Sequence, residues 1–204
     1  MPRTAAQNQA IKDKRKKRLL EIALKIFAYQ GYAGVTIDDI TKAGRCSHGL
    51  FYHYFSSKED VFEEVVKYFI LNQTKTPLLT AEEMGQFHGE KGLGKFFEIV
   101  EKLQVGPQQD LYTAKILLDF ERVSDRSGIR KEAMTLYDIR GTFERLIKEG
   151  QEEGNVIAGS PKDIATVFFD LLIGIFECSL SGNQILKKTV SKDLLLSMTL
   201  NHSL

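Results

Sequence analysis

Apolar residues in this chain recur at three- and four-residue steps almost from end to end, and strict two-residue alternation never runs for long. The first period belongs to a helix burying one stripe and the second to a half-buried strand, so the expected fold class is all-α. Leu19, Ile22, Ala23, Ile26 and Phe27 make the first clear stripe, which is predicted to stop at Gly31, a residue suited to a left-handed cap. Residues 1–11 show no periodicity and read as an arm. Thr36 and Asp39 have the spacing of a capping box, in which the hydroxyl takes an early backbone amide and the acid complements the positive helix start. A short helix over about 37–43 follows, Gly44 breaks it, and Ser47 caps a second short helix over 47–55. Ser56 to Asp60 opens a longer helix to about residue 72.

Residues 73–92, with Pro77, Gly85, Gly89 and Gly92, are expected to be a helix-poor connector. Helices are predicted near 93–105, 107–124, 128–153, 161–181 and 191–203. Pro107 and Pro161 stand where first-turn prolines belong, and Ser160 and Asp163 form another cap.

Composition bounds the class. With 204 residues, 43% hydrophobic residues, only 4 Pro and 2 Cys, the chain has room for one or two globular domains and is neither disordered nor a disulfide scaffold. Cys46 and Cys178 suit a reducing cytoplasm, and the N-terminus lacks the apolar core of a signal peptide, so a cytoplasmic location is expected. The longest apolar stretch, 164–180, is interrupted by Asp170 and Glu177 and reads as a buried helix, with no membrane partner expected. The net charge of +1 hides an asymmetry. Residues 1–60 carry 11 Lys/Arg against 6 Asp/Glu, leaving 17 against 21 for the rest: a head at +5 on a body at −4.

No reading as an enzyme is supported, and no catalytic residue, cofactor or metal is expected. Gly89 to Lys95 fits the spacing of a phosphate-binding loop, but Phe96 stands where a magnesium-holding Ser or Thr is needed and no apolar strand precedes it. His88 and His202 are isolated. Adjacent acids such as Glu63/Glu64, Glu82/Glu83 and Glu152/Glu153 point about 100° apart on a helix and cannot share a site. Cys46, His48 and His53 lack a common direction for a metal.

The two short helices joined through Gly44 have helix-turn-helix dimensions. In the second, Leu50, Phe51, Tyr54 and Phe55 fall on one side and His48, Gly49, Tyr52 and His53 on the other. Imidazoles and a phenol can bond phosphates or base edges, and a glycine lets the backbone approach a groove. The run Lys12, Lys14, Arg15, Lys16, Lys17 and Arg18 fits a surface that tracks the phosphate backbone.

Residues from about Leu20 to Phe69 resemble the DNA-binding domain of the TetR family of bacterial transcriptional regulators. The resemblance is carried by Ile22-Ala23-Leu24, Phe27, Gly31-Tyr32, Val35-Thr36, Ile40, Ser47, Gly49, the run Phe51 to Phe55, and Ser57-Lys58-Glu59. It implies that Thr36 and Lys58 meet phosphates, that Ser47, His48, Gly49, Tyr52 and His53 form the reading surface of double-stranded operator DNA, and that Phe51 and Phe55 are core. One departure stands at the turn, where the family commonly has Ala-Gly-Val and this chain has Gly44-Arg45-Cys46. Arg45 is either solvated or a further phosphate contact, and as a non-glycine at a turn it is exposed to backbone strain. Cys46 reads as packing.

The resemblance implies residues 1–56 as arm and helix-turn-helix and residues 57–204 as a helical domain for ligand binding and dimerisation. Aromatic stripes there give a candidate pocket for an unknown small-molecule effector: Phe96, Val100, Tyr112, Ile116, Phe120, Tyr137, Phe169 and Phe176. The helix at 161–181 is apolar around most of its circumference, more than one core can cover, so a homodimer is expected through about 161–181 and 191–203. The expected function is a ligand-released repressor on a palindromic operator. The competing reading is a helical protein-interaction module without operator binding.

Overall fold

The computed structural model describes residues 4–71, 78–119, 137–181 and 189–201, so the expectations at Phe120 and His202 lie outside the described residues. Helices account for nearly all of it: α1 Ala5–Gly34, α2 Ile37–Gly44, α3 His48–Tyr54 and α4 Lys58–Val66, which continues as one π turn over Lys67–Leu71. Then come α5 Ala81–Met84, α6 Gly89–Val105, α7 Gln108–Asp119, α8 Ile139–Glu152, α9 Pro161–Leu180 and α10 Lys192–Ser197. Among the described residues the only extended pairing is one isolated antiparallel bridge, Val156 to Leu200.

Four expectations are corrected. The arm is helical from Ala5, because Thr4 and Gln7 form a capping box that starts α1 before its apolar stripe begins. The connector holds α5, started by the same device at Thr80 and Glu83, and also the first turn of α6. Gly89 to Lys95 therefore lie on a helix and make no phosphate loop. The helix expected from 128 begins at Ile139, where the Asp138 carboxylate accepts the Gly141 N–H at 2.9 Å; residues 128–136 lie outside the described residues. Finally, the terminal helix spans only Lys192–Ser197, since the chain then turns so that Leu200 pairs with Val156.

One continuous buried core runs from the head into the body, with α1 along it. Leu19, Leu20, Ala23, Leu24 and Phe27 of α1 are buried together with Ile40, Phe51, Phe55, Val61, Phe62 and Val65. Phe27 meets Phe62 edge-on at 5.0 Å. In the body part of this core, Phe96, Phe97, Phe143, Phe168 and Phe169 form an aromatic cluster, with Phe96 and Phe143 4.9 Å apart. α6 packs against α8 and α10, and α9 against α7 and α8. The far part of α1 lies on α7, where Tyr29 and Tyr112 approach to 5.7 Å.

Side chains of α8 hold the start of α6. Glu149 accepts the Gly89 N–H at 3.1 Å and Glu153 the Glu90 N–H at 3.2 Å, so carboxylates supply the caps that His88 does not. Arg145 then bonds Glu149 and the carbonyls of Phe87 and Met84.

The two helices approach at Gly92, where an added Cβ meets Leu146 Cδ2 at 2.2 Å and the Phe87 carbonyl carbon at 3.2 Å. Gly92→Ala is therefore expected to destabilise the fold by about 1–3 kcal/mol through overpacking, read as a lower urea midpoint at unchanged slope. Gly94→Ala, whose Cβ meets only Leu196 at 3.9 Å, serves as the tolerant control.

Candidate nucleic-acid interface and body cavity

The recognition surface begins with two caps. At the start of α2 the Thr36 hydroxyl accepts the Asp39 N–H at 3.2 Å and donates to the Asp39 carboxylate at 2.6 Å, while the Thr36 N–H donates to the same carboxylate at 2.9 Å. These bonds, the hydroxyl's first, hold Asp39 below the usual carboxylate range. At the start of α3 the Ser47 hydroxyl accepts the Leu50 N–H at 3.2 Å. Both hydroxyls, that of Thr36 expected at a phosphate and that of Ser47 on the reading surface, are thus employed in building helix starts.

Between the caps, the chain reverses through a Schellman turn. The Cys46 N–H donates to the Thr41 carbonyl at 3.0 Å and the Arg45 N–H to Lys42 at 3.2 Å. Arg45 occupies its left-handed position, φ 48° and ψ 48°, the only non-glycine at positive φ among the described residues. The helix break expected at Gly44 thus falls one residue later. Cys46 is partly buried against the core, as expected for packing, and burial pushes its thiol up.

α3 divides as its sequence implies. Phe51 is 0% exposed and Phe55 is buried, while Tyr52 is 54% exposed and His48, Gly49 and His53 share its open side. A Cβ added to Gly49 meets nothing closer than the Ser47 hydroxyl at 3.9 Å, so the backbone there is free to approach a flat partner. His48 is tied back: its Nε2 lies 2.7 Å from Asp38, which also pairs with Lys42 at 3.0 Å. Lys42 first and His48 second hold the Asp38 carboxyl below its ordinary range.

Lys58, expected at a phosphate, also makes contacts within the chain. Its ammonium donates to the carbonyls of Tyr32 and Val35, each at 3.0 Å, and lies 4.4 Å from the Tyr32 ring centroid. Two of its three donors therefore clasp the start of α4 to the C-terminal end of α1, leaving one for a phosphate. In the basic run, Lys16 pairs with Glu64 at 2.6 Å and braces α1 against α4; Lys12, Lys14, Arg15, Lys17 and Arg18 are exposed.

The body holds a cavity of only about 50 Å³ between α5, α6, α7, α8 and α9. Of the expected pocket residues, Phe96, Val100, Tyr137 and Phe176 line it. Tyr112, Ile116 and Phe169 do not: Tyr112 turns to Tyr29 of α1, Ile116 is buried away from it, and Phe169 packs on Phe143 beneath Arg140. Leu78, Leu79 and Met84, from the segment read as a bare connector, close one side. Among the described residues no three His, Cys, Asp or Glu side chains converge as metal ligands, and no helix is long and apolar enough to cross a membrane.

Since a non-glycine in the left-handed region is strained by about 1 kcal/mol, Arg45→Gly is expected to raise stability by up to that amount, measured as a higher urea midpoint.

Residues 19–65 match the family described as bacterial regulatory proteins, tetR family. Over 155 residues, 75% of each chain, the protein is 26% identical to the HTH-type transcriptional repressor DhaR of Mycobacterium sp. (strain GP1). It is 35% identical over 52 residues to IcaR, the negative regulator of the biofilm operon icaADBC of Staphylococcus aureus (strain Newman), a match that covers 26% of this chain and 28% of IcaR. Two solved structures share the fold. A mutant of HlyIIR superposes with a TM-score of 0.61 at 17% identity, over 92% of this chain and 94% of that one. AibR, solved with isovaleryl coenzyme A and operator DNA, superposes with a TM-score of 0.60 at 16% identity, over 90% and 95%. Residues 19–65 thus match the DNA-binding head of the bacterial tetR-family regulatory proteins, and the chain as a whole shares the fold of these solved regulators.

Proposed function

We propose that the protein is a homodimeric repressor that reads a palindromic operator through α3 and is released by a small-molecule effector held in the body. The observation that carries this reading is the open side of α3, where His48, Gly49, Tyr52 and His53 stand clear of a core sealed by Phe51 and Phe55. Ser47 opens that side, and Thr36, Arg45 and Lys58 flank it as the proposed phosphate contacts, with the exposed lysines and arginines of α1 adding charge. DhaR and IcaR, both negative regulators by name, support repression over activation.

A division after residue 56 makes α1–α3 the reader and α4 the lever, leaving the reader along α1 and continuing toward the body through its π turn. Dimerisation is assigned to α9. Val167 is 67% exposed, a Cβ at Gly174 meets nothing within 4 Å, and Leu171 and Ile173 are only half-buried. The six-residue α10 is spent partly on α6 through Leu195, leaving Leu194 and Met198 to extend the interface. Pairing about a two-fold axis would set the two α3 helices about 34–36 Å apart, one turn of duplex.

The body cavity is apolar apart from Tyr137, Asp138 and Thr142, and at about 50 Å³ it holds little more than a water. An effector there binds a more open conformer, and binding shifts the population away from the DNA-competent spacing.

The test is binding to fragments of the host genome across a salt series. A repressor gives specific complexes that weaken steeply with salt; binding that is absent, or flat with salt, favours the protein-interaction module. Tyr52→Ala and His53→Ala are expected to weaken operator binding by about 1–3 kcal/mol each while thermal stability stays nearly unchanged. Phe51→Ala is expected to destabilise the fold by about 3–5 kcal/mol. Arg45→Gly lowers the salt slope by about one if Arg45 meets a phosphate.

A further inference from the structure

A second and larger opening, of about 290 Å³, lies at the junction of α1 with α7 and α9, apart from the body cavity. Tyr29 and Tyr32 stand on its α1 side, Lys115 and Asp119 come from α7, and Glu177 from α9. Its size approaches the lower end of small-molecule sites, about 300–1,000 Å³. A Cβ at Gly31, where α1 leaves helical geometry at φ 68°, meets nothing within 4 Å, because the space beside it is this cleft.

Its charges are unequal. The Lys115 side chain is 4% exposed and is neutralised by Asp119 at 2.5 Å; Glu177, 62% exposed and 3.6 Å from the same ammonium, is the surplus carboxylate at the mouth. The three groups sum to −1. The cleft also faces the end of the straight part of α1, the negative end of the helix dipole. An entering anion meets Glu177 first, and reaching Lys115 requires breaking a buried pair. An entering cation meets Glu177, exposed and the more distant of the two carboxylates on Lys115, and the Tyr29 ring, against which this chain already places a cation, with Lys25 Nζ 5.9 Å from its centroid.

We propose that this junction cleft binds a small organic cation, an ammonium group carried on a compact apolar body, with the ammonium on Glu177 and the body against Tyr29. Lys115 and Asp119 form a closed, neutral floor. The site draws its walls from the DNA-reading and the body helices, yet its occupancy does not depend on operator binding, so it stands or falls separately from the function proposed above.

The experiment titrates the full chain, at constant ionic strength, with benzylammonium, its neutral analogue benzyl alcohol and its anionic analogue benzoate. Thermal unfolding and tyrosine fluorescence report binding, the latter unobscured because the chain has 7 Tyr and no Trp. The expected result is a saturable rise in Tm with benzylammonium alone, its apparent affinity weakened about tenfold or more by Glu177→Gln. Glu177 is exposed, so this variant keeps the fold, and its Tm without ligand checks that. An equal response to benzyl alcohol, a stronger one to benzoate, no response to any of the three, or a benzylammonium response that survives Glu177→Gln would each overturn the proposal.

Discussion

Burial of Phe51 and Phe55 against α1 and α4 is the constraint on which the rest depends. α3 is seven residues long, too short to be stable alone, and exists because two of its aromatic rings are sealed in a core shared with Phe27, Val61 and Phe62. That seal fixes the helix's rotation. With Phe51 inward, His48, Gly49, Tyr52 and His53 have no direction left but outward, so one packing event both stabilises the helix and presents the face proposed to read DNA.

α1 extends this constraint to the body. Its middle carries the reader's core and its far part lies on α7, with Tyr29 against Tyr112, whose hydroxyl is pushed up to about 12 by burial first and by its hydrogen bond with Tyr29 second. Lys58 and Lys16 clasp α4 to α1 at two separate points. α1 is thus packed at once on α2 and α4 of the head and on α7 of the body. The cleft proposed to take a cation opens at the same junction of α1 with α7.

Much of the reader was legible in the order of residues because its determinants are local. A capping box needs only Thr36 and Asp39, and the division of α3 follows from a 3.6-residue period. Resemblance to a family added roles that periodicity does not carry. The misreadings have local causes too. Thr4 and Gln7 start α1 ahead of any apolar stripe, and Thr80 and Glu83 start α5 in a segment whose glycines suggested a loop. Gly89 and Gly92 marked a close approach of α6 to α8 instead of a break.

By itself the sequence determined that the chain is helical, where its short helices begin, which face of α3 is apolar and that the basic charge gathers near the reader, since each follows from neighbours within one or two turns. Only the tertiary structure decided that Lys58 clasps two carbonyls, that Arg45 takes the left-handed turn position, that Tyr112 turns toward α1, and that the body cavity is smaller than the junction cleft. These depend on pairs tens of residues apart, whose distances are set by how helices pack and not by any spacing along the chain.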